Sequence, residues 1–153
     1  GWVHTQAAGA GFNQFTQVND HFTLTTAIAD ATSTAFTSVA TALTLTAPPN
    51  SIARFRASAV AGSTGTNLQD QTILFDEIVE GNSTPAIAGA VCSLACAEVA
   101  STNLTPNAAH FELRVSSTST IEFDCSANAN SAGGSFSVGT YGWIDSRLRL
   151  SST

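Results

Sequence analysis

Hydrophobic and polar residues alternate with a period of two along most of this chain, and because successive strand side chains point to opposite faces, that period predicts β-structure. In HFTLTTAIA (21–29), Phe22, Leu24 and Ile28 share a side. After the polar DATST, AFTSVATALTLTA (35–47) carries Val39, Leu43 and Leu45 and stops at Pro48-Pro49-Asn50. SIARFRASAVA (51–61) sets Phe55, Ala57 and Ala59 against Arg54 and Arg56. TILFDEIV (72–79) is apolar on both sides, which predicts a strand held between two layers or under a subunit contact. AHFELRVSS (109–117) turns Phe111, Leu113 and Val115 inward and His110, Glu112 and Arg114 outward. STIEFDCSA (119–127) follows after a short turn with Ile121, Phe123 and Cys125 inward, and the two segments predict a hairpin.

Three stretches are harder to place. AIAGAVCSLACAEVA (86–100) spaces Ile87, Val91, Leu94 and Glu98 as on a helix, and alanine favours helix; Gly89, the β-branched Val91 and the strands on either side favour the strand adopted here. The longest strand-like run, SFSVGTYGWIDSRLRL (135–150), is read as the last strand. Phe136, Val138, Ile144, Leu148 and Leu150 are expected on its core face, and Tyr141, Trp143, Asp145, Arg147 and Arg149 on the outer one. Residues 1–20 scatter Trp2, Phe12 and Phe15 among Gly, Asn and Gln, and read as an irregular N-terminal arm that lays aromatic rings onto its own domain or a neighbour. The expected organisation is therefore an arm, 1–20, and one folded domain, 21–153. About eight antiparallel strands in a chain of this size predict an all-β, jelly-roll-like sandwich.

Composition shifts the picture toward assembly. The chain is 43% hydrophobic but only 10% charged, against about 25% charged residues in ordinary soluble domains. So few charges suit a protein that lives inside an assembly, or a small domain coated in Thr and Ser. The net charge is −6, with five Arg and no Lys, so no basic stripe is available and no nucleic-acid partner is expected. No apolar run reaches the roughly 18 residues of a membrane span, and no basic-then-apolar leader opens the chain, so a soluble protein without a membrane partner is expected.

Candidate chemistry is sparse. Cys92, Cys96 and Cys125 are odd in number and irregular in spacing, which favours buried thiols, with one disulfide such as Cys96 to Cys125 as the alternative and zinc a poor match. His4, His21 and His110 lie in unrelated segments, and no G-x-S-x-G elbow occurs. GSTGT (62–66) lacks the Lys of a phosphate loop and reads as a turn. A hydrolase would need a cleft that gathers Asp76, Glu80 or Glu122 with a His; Asp76-Glu77 and Glu122 with Asp124 read instead as solvated strand charges. Asn82-Ser83-Thr84 and Asn103-Leu104-Thr105 match the glycosylation sequon, but Pro follows each and both read as turns. No catalytic residue, metal site or cofactor is expected. The strongest site-like feature is Tyr141 and Trp143 beside Asp145, Arg147 and Arg149. Such a patch serves an intersubunit or scaffold contact, a sugar site, or a surface covered by the arm with Trp2, Phe12 and Phe15.

The stretch HFELRVSSTSTIEFDCSANANSAGGSFSVGTYGWIDSRLRL, with TYGWIDSR after a Gly/Ser loop, richness in Thr, Ala and Ser and lack of Lys, resembles the small β-structured virion proteins of tailed bacteriophages. The resemblance covers about residues 105–150. It implies a jelly-roll-like domain that forms a symmetric homo-oligomer, most simply a trimer, on a capsid or tail. The leading expectation is a non-enzymatic decoration or cement protein that binds the major capsid protein and stabilises the lattice. The second is a tail-fibre or lectin-like module that grips a surface glycan through Tyr141 and Trp143.

Overall fold

The strands build two five-stranded antiparallel sheets. The computed structural model describes residues 13–61, 70–78, 92–98, 104–105, 107–126 and 134–145, and among these it contains ten strands and no helix. They are β1 (Phe15–Val18), β2 (His21–Ala35), β3 (Thr41–Thr44), β4 (Ile52–Val60), β5 (Asp70–Glu77), β6 (Cys92–Glu98), β7 (Leu104–Thr105), β8 (Asn107–Arg114), β9 (Thr120–Ser126) and β10 (Ser135–Ile144). The first sheet runs β1-β2-β10-β4-β8 and the second β3-β9-β5-β6-β7. With the short β1 and β7 set aside, the outermost strands of the chain pair, β2 with β10, and then successively inner ones, β3 with β9, β4 with β8, and β5 with β6. These pairs fall alternately in the two sheets, the wrapping that defines a jelly roll, so the expected fold class holds.

Alternation places the core between the sheets. In β4, Ala53, Phe55, Ala57 and Ala59 are buried while Arg54 and Arg56 point away, as the period of two requires. Phe55 meets Phe75 of β5 edge-on at 5.5 Å, Phe111 of β8 lies within 5.6 Å of both, and Phe136 of β10 meets Phe123 of β9 at 4.8 Å. Each such ring removed from water contributes about 1.5–3 kcal/mol, so this aromatic ladder is the main fastening between the layers. In β5, Ile73 and Phe75 face this core, and Leu74 and Asp76 on the outward side are also buried.

Several expectations fail for identifiable reasons. DATST does not interrupt β2, which continues to Ala35. Its extra residue is absorbed as a bulge at Ser33, whose φ is 49° and whose N–H donates to Ser137 Oγ. The strand expected over 35–47 shrinks to Thr41–Thr44. Within the arm expected over 1–20, Phe15–Val18 form a regular strand, and β1 joins β2 through a two-residue loop with Asn19 in the left-handed region. Trp2 and Phe12 lie outside the described residues. Between 86 and 100 the described part, β6, is strand, as read; β7, in a stretch read as loop, is an addition.

The hairpin expected from 109–117 and 119–127 is also corrected. Ser116 N–H donates to Thr120 O and Ser119 N–H to Ser116 O, with Ser119 at φ 61°, so the turn itself is tight. The strands it joins nevertheless part, β8 pairing with β4 and β9 with β3 and β5. The turn carries the chain from one sheet to the other.

Candidate functional site

The last strand changes phase halfway along. From Ser135 to Thr140 the even positions are buried, Phe136, Val138 and Thr140, each paired in unbroken register with β4. Between Thr140 and Gly142 the register shifts by one residue, and Tyr141 is the residue without a partner. Such a bulge turns every later side chain over. Trp143 and Asp145, expected outside, are consequently buried, at 0% and 1% exposure, and Ile144, expected inside, is half-buried on the other face. Gly142 makes the bulge sterically possible: a Cβ there would sit 2.2 Å from Phe22 O. Leu148, Leu150, Arg147 and Arg149 lie outside the described residues.

Trp143 therefore belongs to the core. It stacks on its cross-strand partner Phe22 at 5.1 Å and 8°, and Phe15 of β1 stands edge-on to both rings. Phe15 is half-buried in this cluster, so one ring of the N-terminal segment covers its own domain. Asp145 donates its N–H to Asp20 O across the same end of the sheet.

What remains outward is Tyr141, and the sheet assembles a different group around it. β4 lies between β10 and β8, and the Tyr141 ring reaches across β4 to meet His110 of β8 edge-on at 5.3 Å. The guanidinium of Arg54 stands 5.1 Å from the ring centroid, within cation–π range, and its Nε donates to Glu112 Oε1 at 3.1 Å. Arg56 is exposed and directly opposite His110, and among the described residues it has no ion-pair partner. Arg114 follows on β8, so all three described arginines stand on β4 and β8 of this sheet. Beside Arg56 a shallow groove of about 280 Å³ runs between β2 and β4. It is lined by Ala27, Ile28, Ala29, Ala31, Thr32, Arg56, Ser58, Ser137, Val138 and Gly139.

Arg54, Arg56, His110 and Glu112 were not singled out in the sequence as a site. The available signal was the pair of alternations R-x-R and H-x-E-x-R, whose strands become neighbours only because β4 and β8 pair, with Arg54 opposite Glu112 and Arg56 opposite His110.

Other polar groups hold the fold. Asp30 Oδ2 accepts from Thr140 N–H at 2.9 Å and from the Thr140 hydroxyl at 2.6 Å, while Oδ1 accepts from Thr46 N–H at 2.9 Å. One carboxylate thus ties β2, β10 and the segment that follows β3 together. Glu77 Oε1 accepts from Arg114 N–H and so links the two sheets. On the outward side of the second sheet Asp76 stands opposite Glu122, with Asp124 two residues on, while the two described histidines, His21 and His110, stand on the other sheet; His4 and Glu80 lie outside the described residues. A second hollow, of about 350 Å³, lies at the 116–120 turn, where the hydroxyls of Ser116, Thr118 and Thr120 bond one another at 2.7–3.1 Å.

Cys92, Cys96 and Cys125 are free thiols. Burial pushes Cys92 up to about 11, and the carboxylates of Asp76 and Glu77 add to the shift. Cys125 is likewise pushed up to about 11 by burial, against the lowering effect of its hydrogen bond to the Thr37 backbone and with Asp124 and Cys96 raising it further. Among the described residues no group of three or more His, Cys, Asp and Glu is disposed to hold a metal ion. No protein-family model matches the chain, and no curated protein matches it at a significant level.

Proposed function

We propose that this chain is a non-enzymatic structural protein of a tailed-phage virion, a decoration or cement subunit that assembles as a homo-oligomer on the capsid lattice. The observation that carries the reading is the nested pairing of β2 with β10, β3 with β9, β4 with β8 and β5 with β6. That is the architecture implied by the resemblance of residues 105–150 to such proteins.

The use made of polar groups points the same way. Asp30 accepts three hydrogen bonds, two from Thr140 of β10 and one from Thr46, Glu77 makes a link between sheets and Asp76 accepts from the N–H of Glu77. Carboxylates committed to backbone N–H groups stiffen a shell subunit, whereas a catalytic pair needs open access to substrate. With 10% charged residues the chain is poorly equipped to keep a large free surface solvated, and association removes part of that surface from water.

Sedimentation equilibrium of the purified protein, combined with quantitative mass spectrometry of purified particles, tests the proposal. An oligomer in solution and a fixed ratio to the major capsid protein are expected. A stable monomer absent from particles overturns it.

A further inference from the structure

The geometry points to a binding site for an acidic sugar in the groove beside Arg56, a function separate from assembly. The groove lies over the middle of the first sheet, where β10 is hydrogen-bonded to β2 on one side and to β4 on the other. No backbone edge is free there, so a peptide cannot enter as an added strand and recognition falls to side chains. Those present suit a ring that carries hydroxyls and one anionic group. Arg56 supplies an exposed guanidinium without an ion-pair partner among the described residues. Arg54, its neighbour on the same face, is already engaged by Glu112 and Tyr141, which leaves Arg56 as the open charge.

Thr32, Ser58 and Ser137, each with a hydroxyl, are among the residues that line the same groove. Ser137 Oγ accepts a hydrogen bond from Ser33 N–H at 3.1 Å, which leaves its own proton to donate to a ligand oxygen. Gly139 and alanines of β2 line it as well, and their small size leaves room for the C–H face of a pyranose. At about 280 Å³ the space sits just below the usual range for drug-sized ligands and fits a single sugar unit of a longer chain. The oxyanion is a carboxylate or a sulfate ester, both of which a guanidinium engages through paired N–H donors. The chain as a whole is acidic, so the attraction is local and binding is expected to weaken as salt rises.

The test is calorimetric titration of the full chain with a trigalacturonate, a sulfated disaccharide, a neutral trigalactoside and a hexaglutamate peptide. Saturable binding of the uronate or the sulfated sugar is expected, and which of the two binds identifies the anion. Arg56→Gln is expected to weaken it about tenfold or more, the scale of one charge-assisted hydrogen bond, while Arg54→Gln changes it less. Circular dichroism and the thermal midpoint of each variant report folding, and salt titration of the unaltered chain reads the same charge without mutation. Unchanged affinity in Arg56→Gln, insensitivity to salt, equal binding of the neutral sugar, or hexaglutamate binding as tightly as either acidic sugar each overturns the proposal, as does failure of both acidic sugars to bind. The oligomeric state is measured separately, so failure here leaves the assembly reading standing, and the reverse.

Discussion

Gly142 and Asp30 are the residues on which the first sheet depends most directly. At Gly142 any side chain collides with Phe22 O, a backbone atom in a paired strand that has no room to retreat. Gly142→Ala is expected to cost about 3 kcal/mol through forced displacement of β10 from β2, read as a lowered urea midpoint at unchanged slope. Asp30 works by hydrogen bonding: its removal strands the N–H groups of Thr140, which is fully buried, and of Thr46. Asp30→Ala is therefore expected to lose about 2–4 kcal/mol, and Asp30→Asn less, because an amide keeps one accepting oxygen. Ser119 offers a change of the opposite sign. It holds φ 61° in the tight turn before β9, a conformation that disfavours any side chain, and Ser119→Gly is expected to gain about 0.5 kcal/mol in the same assay.

At the scale of elements, the bulge in β10 decides which aromatic is inside. The fluorescence of Trp143 checks it. In a Trp2→Phe background, which leaves Trp143 as the single reporter, emission is expected to be blue-shifted and resistant to iodide quenching; red-shifted, quenchable emission would return Trp143 to the surface. β5, β6 and β9 carry the second element-level prediction, through Cys92 and Cys125. Both thiols sit near 11 in the folded chain, against 9.0 for an unperturbed thiol, so the folded state keeps its protons where the unfolded chain has begun to lose them. Their contribution to stability is complete below about pH 9 and is lost as the pH rises through about 11. Urea midpoints measured from pH 8 to 11 are expected to fall across that window, and to fall less in a Cys92→Ala, Cys125→Ala double variant.

For the whole molecule, the nested pairing makes the two ends of the domain neighbours. β10 lies between β2 and β4, so its loss removes the centre of a sheet. A chain cut before Ser135 is expected to show no cooperative unfolding transition, whereas removal of β1, an edge strand, weakens the fold without abolishing it. The first sheet cannot close until β10 reaches strands formed much earlier in the chain, and refolding is expected in roughly milliseconds to seconds, as for other folds dominated by long-range pairing.

The alternation in SIARFRASAVA, HFELRV and STIEFDC was enough to establish strands, their inward faces and an all-β sandwich, because a period of two is a local property of the backbone. It was enough, too, to put Arg54 and Arg56 on one side and Phe55 on the other. It did not reveal that Tyr141 is looped out, since a bulge is defined by its partner strand and nothing in TYGWI marks which residue will lack one. Nor did it show that β8 and β9 separate into different sheets, because a tight turn is compatible with either outcome. The outward patch, expected around Tyr141 and Trp143, keeps Tyr141 and exchanges Trp143 for Arg54, Arg56, His110 and Glu112. Arg54 and Arg56 lie more than fifty positions from His110 and Glu112 in the chain, and only the pairing of β4 with β8 brings the two pairs together.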